Sequence, residues 1–189
     1  MRVLHVGCAG ETLPSWFSSW AKVRLDIDER VCPDIVASMT DMGEIGKFDA
    51  IFSSHCLEHL YPHEVPVALR EFKRVLLDDG FAMIFVPDLE GLTISDEVLY
   101  VSPAGPITAL DLLYGLRSGV EATLHMAHHT GFTKSILEDS LKESGFAASK
   151  IDRLEDHNLS AVSFTNIPSR ERLLELSEFF SQPCIWRVM

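Results

Sequence analysis

The run FAMIFVP (81–87) is the feature that most constrains this chain. It is apolar without alternation until its end, and a strand of that kind must be covered on both faces. Double coverage belongs to a parallel sheet with helices above and below it, so this one run already argues for an α/β architecture. Other short β-rich runs fit beside it: RVLHV (2–6), KVRLDID (22–28), PDIVASM (33–39), FDAIFSS (48–54), and later AASKIDRL (147–154) and LSAVSFTN (159–166).

Helical spacing fills the intervals. In HEVPVALREFKRVLLDDG (63–80), Val65, Leu69, Phe72, Val75 and Leu76 share a face, Pro62 and Pro66 suit the helix start, and Asp78-Asp79-Gly80 predicts a turn. In TKSILEDSLKESGF (133–146), Ile136, Leu137 and Leu141 face one way, Ser135 and Glu138 have capping-box spacing, and Gly145 suits the residue after the helix end. A last helix, SRERLLELSEFF (169–180), offers Leu173, Leu174 and Phe180 for packing. Seven strand-like runs alternating with helices predict a Rossmann-like, doubly wound, mostly parallel sheet in three α/β/α layers. At 189 residues the chain predicts one domain, 1–189, with an insert at about 88–132.

Charge narrows the partners. With 16 basic and 28 acidic residues the net charge is −12, which disfavours bare nucleic acid and anionic membrane. Without an apolar run of about eighteen residues, no membrane-spanning helix is expected. MRVLHVGCAG has no long apolar core and no clean cleavage site, so a secretory leader is not expected. Cys8, Cys32, Cys56 and Cys184 are scattered without C-x-x-C pairs, which fits buried or free thiols in a reducing compartment better than a disulfide framework and predicts a cytoplasmic location.

In a doubly wound sheet the ligand lies beyond the carboxyl ends of the strands, near the point where the strand order reverses. The unusual residues stand there. Gly7-Cys8-Ala9-Gly10-Glu11 follows the first strand, Asp26 and Asp28 end the second, Thr40-Asp41-Met42 follows the third, Ser53-Ser54-His55 the fourth and Pro87-Asp88 the fifth. Small residues let a ligand approach the backbone, and an acid ending the second strand can accept hydrogen bonds from two ribose hydroxyls. Asp41 can accept from an exocyclic amine while Met42 packs on a purine face. Each feature alone is common in turns; their ordered succession is what points to a nucleoside-like ligand.

The succession VLHVGCAGE, RLDID, DIVASMTDM, FDAIFSSHCLEHL and EFKRVLLDDGFAMIFVPDLEG resembles the class I S-adenosylmethionine-dependent methyltransferases, most of all small bacterial members that open LHLGCG and are often associated with sugar and cell-envelope biosynthesis. The resemblance covers residues 2–91, and HHTGFTKSILEDSLKESGF adds a weaker match to the segment before the family's last two strands. It implies S-adenosylmethionine as cofactor, with Gly7, Cys8, Ala9 and Gly10 along its methionine part. By the same resemblance Asp26 holds the ribose, Ile27 lies beside the adenine, Asp41 takes the adenine amine, Met42 packs on the ring, and Ser53 and Ser54 lie near the sulfonium. Three departures stand out. Ala9 and Glu11 replace turn glycines, His5 replaces a frequent acid (the LHLGCG members share the histidine), and the chain starts at the first strand. The cover that N-terminal helices give in relatives is then expected from the insert, from a partner subunit, or from nothing.

The insert DLEGLTISDEVLYVSPAGPITALDLLYGLRSGVEATLHMAHHT (88–130) follows the fifth strand and is the expected acceptor region. Pro103 to Pro106 marks a loop and Ile107 to Leu116 a short helix. Tyr100, Tyr114, His125, His128 and His129 are its aromatic and titratable groups. Methyl transfer to oxygen or nitrogen is an in-line displacement in which alignment supplies most of the rate, and a base matters where the acceptor must lose a proton. His128 and His129 lead as base candidates, ahead of His55 and Asp88, against the alternative that they are turn or surface histidines.

SSHCLEHLYPH (53–63) carries the H-x-x-E-H spacing of one zinc-protease class, and HMAHH supplies further histidines. Pro62 interrupts the helix before His63 and neither a cysteine pair nor a distant acid completes a tetrahedral set, so the sequence predicts no metal. It reads Leu57 and Leu60 as inward-facing and Glu58 and His59 as fixing the helix start.

The predicted function is methyl transfer from S-adenosylmethionine to an unidentified acceptor, a sugar, glycan or other small molecule. The alternative is an inactive cofactor- or partner-binding module on the same fold. A dinucleotide-dependent oxidoreductase is disfavoured because GCAGETL lacks G-x-G-x-x-G. Phe179, Phe180, Ile185 and Trp186 in SEFFSQPCIWRVM either dock on the sheet or form a homodimer contact.

Overall fold

The structure, a computed structural model, describes residues 1–9 and 12–180, the side chains of 178–180 excepted. Among these residues nine strands form in chain order: β1 Arg2–Val6, β2 Ala21–Asp26, β3 Ile35–Val36, β4 Phe48–Ser54, β5 Leu76–Pro87, β6 Val98–Ser102, β7 Gly105–Thr108, β8 Ala148–Leu154 and β9 Asn158–Phe164. The helices are α1 Val65–Val75, α2 Ala109–Tyr114, α3 Arg117–Ala122, α4 Lys134–Glu143 and α5 Arg170–Phe180. The main sheet has the order β3-β2-β1-β4-β5-β9-β8, and β6 pairs with β7 in a separate hairpin. Strands β1 to β5 run parallel, while β9 lies antiparallel to both β5 and β8.

FAMIFVP behaves as its composition demands. Strand periodicity sends Ala82, Ile84 and Val86 to one face, against Val65, Leu69 and Phe72 of α1 and Leu137 and Leu141 of α4. Phe81, Met83 and Phe85 go to the other face, with Val3, Ala50 and Phe52, where Trp16, Phe17 and Trp20 and then Leu176 of α5 cover them. Each such side chain contributes about 1.5–3 kcal/mol relative to exposure, which fixes the register of the central strands. The second face is covered largely by aromatic rings around one 3-10 turn, Ser15–Phe17, rather than by a long helix.

Several boundaries differ from the sequence reading. β5 begins at Leu76, because pairing with β4 runs on across a register shift between Phe48 and Ala50; the expected turn at Asp78-Asp79-Gly80 is taken up as a bulge inside that strand, where a Cβ on Gly80 would lie 3.0 Å from the Leu77 carbonyl oxygen. β3 keeps only Ile35–Val36, since β2 itself stops pairing at Asp26. α4 is capped by Thr133, whose hydroxyl accepts from the Ile136 N–H, so Ser135 does not cap it; Gly145 follows with φ +87°. Residues 103–108, expected as loop and helix start, form the hairpin turn and β7, and the helix begins at Ala109. On α5 the docked residue is Leu176, while Leu173 and Leu174 are exposed. The expectations for Gly10, Glu11, Cys184, Ile185 and Trp186, and for the side chains of Phe179 and Phe180, lie outside the described residues. None of the helices among the described residues is long and apolar enough to cross a membrane.

Candidate active site

From β1 the chain steps out to β2 and β3, then returns to place β4 on the other side of β1. The crevice beyond β1 and β4 is therefore the reversal point at which such sheets bind ligands. A cavity of about 1600 Å³ opens there. Single small-molecule sites span roughly 300–1,000 Å³, so this one has room for a cofactor and an acceptor together.

The turn after β1 builds the first wall. Gly7 takes φ +67°, and a Cβ on it would lie 1.9 Å from the Cys56 sulfur, so only glycine lets the turns after β1 and β4 meet. Ala9 follows at φ +45°, a left-handed conformation held because its N–H donates to Asp26 Oδ2 at 2.8 Å. Asp26 Oδ1 accepts the Asp28 N–H at 2.9 Å. Each Asp26 oxygen thus holds one backbone donor and keeps a lone pair, and the residue lines the cavity with Gly7, Ala9 and Ile27. Asp28, held at about 2 by its hydrogen bonds from Arg30, also lines it.

Beyond β3 the lining comes from Ala37, Ser38 and Met39 instead of the expected pair. Met42 is 2% exposed, claimed by the core over α1, with its N–H donating to Glu71 Oε2 at 2.9 Å. Asp41 is exposed and does not line the cavity. Cys8 and Ser53 are likewise buried outside the lining, whereas Ser54 belongs to it.

At the end of β4, His55 adopts φ +49° and its N–H donates to the Phe85 carbonyl at 3.0 Å. This turn aims the following 3-10 turn, Leu57–His59, at the insert. Glu58, expected to fix the helix start, is 1% exposed and accepts from His55 Nδ1 at 3.2 Å. Its backbone carbonyl accepts the N–H groups of His129 and Thr130, pinning the end of the insert against this 3-10 turn. Burial pushes the Glu58 carboxyl up, but the His55 hydrogen bond and the charges of His59 and His128 bring it below its usual range.

The insert lines the remaining side with Tyr100 from β6, Ile107 from β7, Leu112 from α2, and His125, His128 and His129. Burial pushes the Tyr100 phenol up to about 12 and the His128 imidazole down. His128 Nδ1 donates to the Leu112 carbonyl at 2.8 Å, and His129 stacks on Tyr61 with ring centroids 4.3 Å apart. Asp88, the fourth base candidate, lies outside the lining: it is 7% exposed and paired with Arg153 Nε at 3.0 Å, with Oδ1 accepting the Glu90 N–H. That pairing uses its carboxylate to tie β5 to β8. The structure therefore brings His55, His128 and His129 to one cavity and leaves Asp88 out. Glu58 is the participant that sequence reading passed over, although the H-x-x-E-H spacing had marked it.

Residues 4–84 match the model of a family described as Methyltransferase domain. Over those 81 of its 189 residues the chain is similar to methyltransferase domains. Among curated proteins, none matches this chain at a significant level. Solved structures share its fold. The citrinin polyketide synthase CMeT domain superposes with TM-score 0.60 at 12% identity, covering 89% of this chain and 47% of that one. A Burkholderia thailandensis 1,6-didemethyltoxoflavin-N1-methyltransferase, with 1,6-didemethyltoxoflavin and S-adenosylhomocysteine bound, gives 0.58 at 16% identity, covering 88% and 71%. An S-adenosylmethionine-dependent methyltransferase from Clostridium acetobutylicum gives 0.61 at 8% identity, covering 88% and 84%. The chain thus spans about half the length (47%) of the first of these.

The residues present suit the family's cofactor. Asp26 has lone pairs left for two ribose hydroxyls, the Gly7 turn admits close approach, and the cavity exceeds one ligand's needs.

Proposed function

We propose that this chain transfers the methyl group of S-adenosylmethionine to an oxygen or nitrogen of a small-molecule acceptor, a sugar or glycan among the candidates. The observation that carries this reading is the single cavity volume of about 1600 Å³ shared by the strand ends β1, β2 and β4 and by the insert. When bound, the cofactor supplies an electrophilic methyl whose carbon–sulfur bond breaks as the acceptor's lone pair forms the new bond.

The chain's own residues divide the remaining work. Asp26 holds the ribose, and Gly7 and Ala9 shape the wall beside it; Ser38 and Met39 take the adenine side that Asp41 and Met42 do not line. Ser54 borders the methionine end. His55 is the base best supported by its surroundings. Its Nδ1–H is committed to Glu58, so Nε2 carries the lone pair that can receive the acceptor's proton. The insert (88–132) forms the acceptor wall and excludes water, the service that alignment-dependent transfer requires.

The test is labelled methyl transfer. Incubation with methyl-labelled S-adenosylmethionine and fractionated small-molecule extract should label a low-molecular-weight fraction, and His55→Asn should abolish the labelling while S-adenosylhomocysteine still binds. Cofactor binding with no labelling in any fraction would move the chain to the binding-module reading.

A further inference from the structure

The stretch Glu58-His59 and the insert residue His128 come together beneath the cavity, and one ligating atom from each lies within 4.8 Å of the others. We propose that Glu58, His59 and His128 bind a divalent first-row transition cation of the zinc type, open toward the cavity.

The tautomers point this way. His59 Nδ1 stands 3.1 Å from the Ala127 carbonyl and His128 Nδ1 stands 2.8 Å from that of Leu112. A carbonyl only accepts, so both Nδ1 atoms carry the hydrogen and both Nε2 atoms present lone pairs. An imidazole anchored through Nδ1–H to a backbone carbonyl, with Nε2 left over, is the arrangement in which proteins hold metal-ligating histidines. The third ligand is equally prepared. Glu58 is 1% exposed; Oε1 is taken by His55, and Oε2 is buried with no hydrogen-bond partner among the described residues. An ionised carboxylate with an unanswered oxygen in the interior is costly, and a cation answers it.

Two imidazoles and one carboxylate favour zinc or a neighbouring transition metal over magnesium, which demands an oxygen-rich octahedral shell. Zinc bonds of about 2.0–2.1 Å place tetrahedral ligands roughly 3.3 Å apart, so binding draws this set inward by side-chain rotation. Three protein ligands leave a position for an exogenous group, and His59 and His128 both line the cavity. Resting on the methyl-transfer reading, the site narrows the acceptor to molecules whose reactive oxygen or nitrogen can ligate a metal. The sequence alone hid the set because His128 is 69 residues from His59.

Tag-free protein stripped with a chelator should take up one equivalent of cobalt(II) with visible d–d absorption, release it to one equivalent of zinc, and ignore magnesium. His59→Ala and His128→Ala should each weaken cobalt binding by roughly a hundredfold or more, since even outer-shell changes cost about 10–100-fold. The exposed His63→Ala should leave it unchanged. Parallel titration with S-adenosylhomocysteine and circular dichroism keep a folding defect separate. Cobalt binding without S-adenosylhomocysteine binding sinks the cofactor reading and keeps the metal site. S-adenosylhomocysteine binding without stoichiometric cobalt, or cobalt binding that survives in the His59/His128 double variant, overturns the metal site.

Discussion

His55 Nδ1 lies 3.2 Å from Glu58 Oε1, and the carboxylate is buried under the ring it orients. A fixed carboxylate that sets the tautomer of a neighbouring imidazole is the usual preparation of a general base. Glu58→Gln keeps the shape and removes the charge. It should lower the rate of labelled methyl transfer by roughly a hundredfold, the lower end of what general-base catalysis contributes, with S-adenosylhomocysteine affinity retained. Retention of the full rate would remove His55 and Glu58 from the chemistry.

The Gly7 turn tolerates no side chain. Gly7→Ala sets a Cβ against the Cys56 sulfur at a backbone angle of +67°, and should destabilise the fold by about 2–5 kcal/mol, read from urea denaturation. Replacing Cys56 by alanine in the same chain removes the clashing sulfur and should recover part of that loss. A Gly7→Ala protein as stable as the parent would show that the turn after β1 is not packed as described.

Ala9 carries the opposite strain. At φ +45° it would be more comfortable as glycine, so Ala9→Gly should raise stability by up to ~1 kcal/mol, offset in part by glycine's greater freedom when unfolded. A lowered urea midpoint would contradict the left-handed assignment.

His5 predicts an acid-sensitive core. It is 3% exposed against Phe52, with Nδ1 buried and unpartnered among the described residues, and burial holds its imidazole down at about 4. The unfolded chain takes up that proton near about 6.5. The neutral ring's contribution is therefore intact above 6.5 and is lost as pH falls toward 4, by as much as ~3 kcal/mol. His5→Leu should flatten that limb of the stability–pH curve; identical curves for both proteins would contradict it.

The strands whose pattern is dictated by burial were the most legible. RVLHV and FDAIFSS match β1 and β4 residue for residue, because both faces of those strands are covered and composition alone reports it. Edges were harder. At β3 the PDIVASM run has the composition of a strand, but pairing with β2 lasts only to Val36 and the remainder turns to line the cavity. The site divided in the same way. Gly7, Ala9, Asp26, Asp28, Ser54 and His55 follow from the rule that chemistry sits at strand ends, and all line the cavity, as does Ile27, which the resemblance implied. Asp41, Met42 and Asp88 obey the same rule in sequence yet are drawn elsewhere, by exposure, by the core over α1 and by Arg153. Glu58 reads in sequence only as fixing the helix start, because its burial depends on what closes over it, whereas His128 and His129, named from the sequence, do line the cavity although no local pattern encodes the path of their insert.

Calorimetric titration of Asp26→Asn beside the parent protein tests the central claim most directly. The parent should bind S-adenosylhomocysteine and not NAD, and the variant should bind it about 1–3 kcal/mol more weakly, the scale for losing charged hydrogen bonds. Equal affinity in parent and variant, or no binding of S-adenosylhomocysteine by the parent, would contradict the account.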